Sequence, residues 1–250
     1  MESKYTLVSL IGRGTHGDVW HARSTSSGKD VAIKMERSGG LGSLKYEARV
    51  LSTLKHTKHT PSMYGFGRAA DGRAYVAMTL LGDSLDVRLS CGVSMYRVAM
   101  DMLEAVRSFH EAGFVHRDVK PNNFRYGRDD PDTLYVIDYG LCKLYAVEGV
   151  SSYGVVGTPS FMSGAARNGR SQGKSHDLES WLYSIIYMWK GEVPWGDVSS
   201  PGRSGVRQEF LDVCGVFGTA LLEVLRTARL SWVPDYAGCA SAVNEMLQNA

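Results

Sequence analysis

The sequence predicts an α+β chain in which a small β-rich half precedes a larger helical half. Two observations carry this expectation. Short β-rich runs broken by Gly and Ser clusters fill the chain up to about residue 81, and long apolar stripes at helical spacing follow. The length of 250 residues suits one domain built as two lobes, residues 1–81 and 82–250. Residues 5–11, 18–22 and 30–35 read as the first strands. Residues 44–54 read as a helix, because apolar side chains recur at helical spacing with charges between them. Residues 62–66 and 74–81 read as two further strands, and 81–83 as the hinge between the halves. Residues 95–110 form a long amphipathic helix with the stripe Met95, Val98, Met102, Leu103, Val106 and Phe109. A loop-and-strand segment occupies 113–140, a Gly/Ser-rich stretch runs to about 173, and helices follow at 177–189 and 218–228. No internal repeat is visible.

Charge and cysteine usage narrow the setting. Lys and Arg total 28 against 26 Asp and Glu, so a net charge of +2 points to no nucleic-acid and no membrane-surface partner. Cys91, Cys142, Cys214 and Cys239 are scattered without a C-x-x-C pair, which fits free thiols in a reducing compartment. The N-terminus lacks an apolar signal-peptide region, and the most apolar stretch, 181–189, is too short to span a bilayer. The expected setting is intracellular, in cytoplasm or nucleus.

Four motifs carry chemistry. Gly12, Gly14 and Gly17 form G-x-G-x-x-G, followed by Val19. Alone this also fits a hairpin that needs positive φ, but the glycines lie between two strands rather than opening a helix, and a backbone without Cβ can lie close over a triphosphate. Val31-Ala32-Ile33-Lys34 places a lysine on a buried strand. An unpaired buried charge is costly, so Lys34 calls for a carboxylate, and Glu47 in the following helix can supply it; a lysine snorkelling to water from an edge strand is the alternative. The third motif is the most specific: His116-Arg117-Asp118-Val119-Lys120-Pro121-Asn122-Asn123. Asp118 can orient a substrate hydroxyl, Lys120 can neutralise a transferring phosphoryl group, and Asn123 can hold Mg²⁺. Asp138-Tyr139-Gly140 follows, and Asp138 can bridge that metal to phosphates; Mg²⁺ takes hard oxygen ligands and few from protein. His56 and His59 have no metal-ligand spacing to a third partner and read as surface residues. Trp181, Tyr183, Tyr187, Trp189 and Trp195 read as helical core.

With these residues in view, the chain resembles a protein kinase over nearly all its length, and specifically the casein kinase 1 family. The narrower resemblance rests on Met78-Thr79-Leu80-Leu81-Gly82-Asp83-Ser84-Leu85, on Lys120-Pro121-Asn122-Asn123-Phe124, and on Gly140-Leu141-Cys142-Lys143-Leu144-Tyr145. It rests further on Met162-Ser163 where most kinases have Ala-Pro-Glu, on Asp177-Leu178-Glu179-Ser180 with Pro194-Trp195, and on Arg229-Leu230 with Pro234-Asp235-Tyr236. Tyr139 for the usual Phe is similar to the sister group of vaccinia-related kinases, and Thr79 replaces the usual hinge Glu.

The resemblance implies a bilobal protein kinase fold, ATP and Mg²⁺ as cofactors, protein substrates as partners, and a monomer. Ile11, Gly12, Gly14, Gly17, Val19 and Ala32 would surround the nucleotide. Lys34, paired with Glu47, would hold its phosphates; Met78 would bound the back pocket, and the backbone of Thr79 and Leu81 would meet adenine. Asn123 and Asp138 would carry Mg²⁺, and Asp118 with Lys120 would act on a Ser or Thr hydroxyl. Arg117 could pair with an activation-segment phosphate at Ser151, Ser152 or Tyr153, although the resemblance favours constitutive activity, and no autoinhibitory C-terminal extension is expected. A pseudokinase would lack Lys34, Asp118 or Asp138, and all three are present; Gly157-Thr158-Pro159 resembles a protein-substrate platform and argues against a small-molecule kinase. The family's upstream anion site is thinned: two of three cations read Ser160 and Ser175 here and one survives as Lys174, with Arg167 and Arg170 close enough in sequence to compensate.

Overall fold

The computed structural model describes residues 4–14, 17–37, 42–145, 154–193 and 234–248. The chain divides into two compact units. The first is Met1–Asp83 with Arg125–Gly140, and the second is Ser84–Phe124 with Leu141–Ala250. The chain therefore returns to the first unit after entering the second.

The first unit is built on a five-stranded sheet in the order β1-β2-β3-β5-β4. Its strands are β1 (Tyr5–Gly14), β2 (Gly17–Ser24), β3 (Asp30–Met35), β4 (Met63–Arg68) and β5 (Ala74–Thr79). All four pairings are antiparallel. Ala22, Val31, Ile33, Met35 and Ala77 form a buried cluster, with Tyr5, Trp20 and Tyr75 packed on it. The helix α1 (Ser43–Thr53) packs on β4 and β5 through Leu44, Ala48, Val50 and Leu51. A second, three-stranded sheet joins β6 (Leu81–Ser84), β8 (Phe124–Gly127) and β9 (Leu134–Val136). The run 74–81 is thus not one strand: β5 ends at Thr79 and β6 starts at Leu81, because after Leu80 the chain leaves one sheet and pairs with β8 in the other.

The second unit is helical. Ser94 accepts from the Arg97 amide and starts α3 (Met95–Glu111), which follows the short α2 (Leu85–Ser90). Val98, Met102, Leu103, Val106 and Phe109 are buried as the periodicity predicts. The helix α5 (Lys174–Lys190) begins earlier than its apolar run, where the Gly173 amide donates to His176 Nδ1. It buries Leu178, Trp181, Leu182, Ile185 and Ile186, and Trp181 Nε1 donates to the Ala99 carbonyl of α3. Helix α6 (Tyr236–Gln248) also packs on α3. A short pair, β7 (Phe114–Val115) with β10 (Lys143–Leu144), and the four-residue α4 (Gly164–Arg167) complete the described part.

Three expectations change. Tyr187 is exposed rather than core, and its ring meets the edge of Phe161. His59 is buried, not on the surface: its Nδ1 lies 2.7 Å from the Leu134 carbonyl, and its own carbonyl accepts from Val136. That double tie holds it at φ 64 and joins the turn after α1 to β9. Arg167 is buried, with Nε on the Met162 carbonyl, and is not available to swing towards a substrate. Cys142 and Cys239 are buried free thiols and Cys91 is an exposed one. Trp195, Cys214, the helix read at 218–228, and Ser151 to Tyr153 lie outside the described residues, as do Pro194 and Arg229-Leu230. Among the described residues no helix is long and apolar enough to cross a membrane.

Candidate active site

In the first unit, sheet register gathers the candidate residues. Gly12 stands opposite Val19, Val19 opposite Lys34, and Ala32 opposite Met78. Ile11 falls at a register shift between Leu10 and Gly12, which leaves it exposed beside the glycine run. Of the three glycines, the protein itself enforces only Gly17. It has φ 155, and a Cβ there would collide with the Met35 carbonyl. A Cβ at Gly12 or Gly14 would find its nearest neighbours at 3.7 and 3.6 Å, ordinary contact distances. Their lack of side chains therefore has no steric cause among the described residues.

Lys34 is the charged centre of this unit. Its ammonium lies 2.9 and 2.7 Å from the two Glu47 oxygens and 3.0 Å from Asp138 Oδ1. Glu47 projects from the same face of α1 as the apolar residues that bury the helix, so it reaches inward and is itself buried. Burial opposes the Lys34 charge, but Glu47 and Asp138 outweigh it and hold its pKa above the ordinary lysine value. Asp138 is kept at φ 66, in the left-handed region, and its neighbour Tyr139 is buried with its hydroxyl donating to the Val136 carbonyl at 2.5 Å. Such a backbone costs of order 1–3 kcal/mol and persists only where its surroundings hold it. At the end of β5, the Thr79 amide donates to the Ser62 carbonyl at 3.0 Å, and its Oγ1 accepts from the Ser62 amide at 3.0 Å. The threonine that replaces the usual hinge acid is thus used locally, and its backbone carbonyl is not part of that pair.

In the second unit, Asp118 is buried and surrounded by donors. Lys120 Nζ lies 2.8 Å from its Oδ2, the Thr158 hydroxyl donates to its Oδ1 at 2.7 Å, and Asn123 Nδ2 donates to its Oδ2 at 3.1 Å. Asn123 Nδ2 also donates to the Asp118 backbone carbonyl at 2.8 Å. Both amide hydrogens are spent there, so what Asn123 presents in the remaining direction is a hard oxygen. Gly157, before Thr158, has φ 121, and a Cβ there would stand 2.9 Å from the Arg117 carbonyl. Only glycine lets the chain pass so close.

The loop carrying Asp118 is pinned from below. Asp177, buried in the first turn of α5, accepts from the His116 amide at 2.6 Å and the Arg117 amide at 2.8 Å. His110 Nε2 lies 2.9 Å from the same carboxylate. Burial would raise the Asp177 pKa, but the His110 contact and the amide donor outweigh it and hold it below the ordinary value. Arg117 is at φ 66 and directs Nε to the Leu141 carbonyl at 2.7 Å.

Lys34, Glu47 and Asp138 are therefore brought together in one unit, and Asp118, Lys120 and Asn123 in the other. Thr158 as a partner of Asp118, and Asp177 with His110 as its support, were not singled out from the sequence. Asp177 entered only as part of the Asp177-Leu178-Glu179-Ser180 resemblance, and Glu179 beside it is also charged and buried, so residue type alone did not mark its role. Among the described residues no group of three or more His, Cys, Asp and Glu is placed to hold a metal ion.

Comparison with known proteins follows the same lines. The protein kinase domain family matches residues 5–229. The chain is similar to a probable casein kinase I homolog of Encephalitozoon cuniculi, 34% identical over 205 residues, 76% of this chain and 67% of that one. It is 32% identical over 208 residues to casein kinase I homolog 1 of Schizosaccharomyces pombe, covering 76% of this chain and 46% of the relative. With casein kinase I homolog 2 of Saccharomyces cerevisiae it shares 28% identity over 264 residues, 94% of this chain and 48% of the relative. The chain thus spans about half the length of these two yeast relatives.

Proposed function

This chain belongs to the protein kinase family, in its casein kinase 1 group, and on that premise we propose that it transfers the γ-phosphate of ATP to Ser or Thr hydroxyls of protein substrates. The observation that carries the proposal is the Asp118 carboxylate, buried yet aimed by Lys120, Thr158 and Asn123. A carboxylate so held can accept a hydroxyl proton and point the oxygen at phosphorus, and phosphoryl transfer needs positioning and charge neutralisation more than covalent chemistry.

The other residues fit the nucleotide. Gly12 and Gly14 leave open backbone that no contact among the described residues requires, which suits a phosphate-covering loop. Lys34, kept charged and oriented by Glu47, would hold the α- and β-phosphates. Val19, Ala32 and Met78 would line the adenine side, with the backbone of Thr79 and Leu81 meeting its edge. Asn123 and Asp138 would hold Mg²⁺, which when bound neutralises phosphate charge. Lys120 would steady the transferring group. The reading is of a monomeric intracellular enzyme whose partners are ATP and protein substrates.

The test is phosphate transfer from labelled ATP to a Ser/Thr peptide library by the wild type and Asp118→Asn. Transfer by the wild type, lost in the variant with nucleotide affinity retained, is expected, because Asp118 acts on the hydroxyl and not on ATP. Equal transfer by both proteins overturns the assignment. Nucleotide binding without any transfer supports a scaffold that keeps only the fold.

A further inference from the structure

We propose that Tyr236 is a positioning residue for the catalytic loop: its hydroxyl donates to His110 Nδ1, fixes the orientation of the ring, and through it holds Asp177 against the backbone of His116 and Arg117. The role in catalysis rests on the reading of Asp118 given above; the hydrogen-bond chain does not.

The direction of each bond follows from what each atom can do. Backbone N–H groups only donate, and two of them, from His116 and Arg117, point at the Asp177 oxygens. Both oxygens accept, and the His110 contact with the His116 amide holds the Asp177 pKa below the ordinary value, so Asp177 is an ionised carboxylate. His110 Nε2, 2.9 Å from Asp177 Oδ2, must then carry a hydrogen. His110 is buried, and burial holds its pKa below the ordinary value, so the ring is neutral and has only that one N–H. Its Nδ1 is a lone pair, 2.8 Å from the Tyr236 oxygen. The remaining donor is the tyrosine O–H, and burial raises the Tyr236 pKa, so the hydroxyl keeps its proton. Donation runs one way, from Tyr236 in α6 to His110 in α3 to Asp177 in α5.

The surrounding charges agree with this order. His110 feels Asp177, Lys174 and His116; Tyr236 feels Asp177, Glu111, Arg107 and Cys239. The Arg107 guanidinium stands 6.0 Å over the Tyr236 ring and ties α3 to α6 at the same point. Without the Tyr236 donor, Asp177 still keeps the hydrogen on Nε2, but Nδ1 becomes a buried lone pair without its donor and the ring loses the tie that aims Nε2–H at the carboxylate. Asp177 would then be less firmly held against the amides of His116 and Arg117, the two residues before Asp118.

The experiment uses the full chain labelled with a nitrogen isotope. Long-range proton–nitrogen NMR correlations report the tautomer of each histidine, and His110 is assigned by the signals that vanish in His110→Gln. The wild type should show His110 wholly as the Nε2–H form with a hydrogen-bonded Nδ1, and Tyr236→Phe should keep that form but move the Nδ1 signal towards that of an unbonded lone pair. The same variant should lose about tenfold in kcat with KM for ATP unchanged, as a misplaced catalytic group does. An Nδ1–H tautomer in the wild type overturns the proposal even if the variant fails to fold, and so does a folded Tyr236→Phe with wild-type ring signals and wild-type kcat. A protein that transfers no phosphate, but whose His110 Nδ1 signal shifts in the variant, upholds the hydrogen-bond chain and removes the kinase reading instead.

Discussion

Lys120 donates to the Thr158 hydroxyl across 2.7 Å, although 38 residues separate the two in sequence. The hydroxyl passes the interaction on, donating to Asp118 Oδ1 while Lys120 takes Oδ2. Thr158 therefore fixes the rotation of a carboxylate that would otherwise have one oxygen held and one loose. Thr158→Val keeps the shape and removes the hydroxyl. It should lower kcat by about tenfold or more with KM for ATP little changed, since only the orientation of the acceptor is lost. Steady-state kinetics at saturating peptide decide it, and a Thr158→Ser variant should recover most of the rate.

Glu47 answers the buried charge of Lys34 with both its oxygens. Removing one partner of such a pair strands the other in a dry site, a cost of roughly 3–5 kcal/mol. Glu47→Ala should fall near the lower end, because Asp138 still faces Lys34 at 3.0 Å. Urea unfolding measures the loss. In a double-mutant cycle with Lys34→Met, the double variant should cost clearly less than the sum of the single changes. Strict additivity would mean that the pair is not coupled.

Acid sensitivity should begin at His110. Its folded pKa lies below its unfolded value of 6.5, so only the unfolded chain takes up the proton as pH falls past that value. Unfolded protons then exceed folded ones, and stability drops with falling pH. Asp177, also lowered in the folded state, adds a second loss as pH falls below its unfolded value of 3.8. Unfolding free energy measured from neutral pH downward should decline in two stages. The first stage should shrink in His110→Gln, which has nothing to titrate there.

Substrate preference should be weakly dependent on upstream phosphate. Lys174 is the one surviving cation of the expected anion site, and its ammonium stands 5.4 Å over the Tyr145 ring. Arg167 is spent on the Met162 carbonyl, and Arg170 is the exposed arginine left nearby. A lone lysine binds phosphate as a point charge without the two-pronged grip of arginine. Matched peptides with phosphoserine or plain serine upstream of the target should give similar kcat/KM. A large preference for the phosphorylated peptide that vanishes in Lys174→Ala would show that a working anion site survives, and one that vanishes in Arg170→Ala would place it there.

What could be read from the sequence was whatever is local or periodic. The stripe on α3, the strand carrying Lys34, and the loop from His116 to Asn123 are all patterns within a few residues, and each lies where its pattern places it. Glu47 was reachable because a buried lysine demands an acid and Glu47 is the acid of the next helix; Asp138, the second acid, lies 104 residues away from Lys34 and was not read as its partner. The boundary at Leu80 was not reachable, because apolar residues continue across it and only pairing partners change. His59 was misread for a related reason: its burial depends on carbonyl and amide partners in β9, about 75 residues away, which leave no trace in its own neighbourhood. Thr158 and Tyr236 are hydroxyls whose value lies wholly in distant partners, and nothing in residue type alone separates them from other surface threonines and tyrosines.

The return of residues Arg125–Gly140 to the first unit has a practical consequence for dissecting this protein. No single cut yields that unit whole. A fragment ending at Asp83 would lack β8, β9 and Asp138, leaving Lys34 with one acid instead of two and His59 with neither of its ties. The complementary fragment would carry that excursion as an unpartnered hairpin. Swapping the β-rich part between related chains must therefore transplant two stretches of sequence at once, and split-protein reporters divided at the hinge should regain activity only when both halves are supplied together.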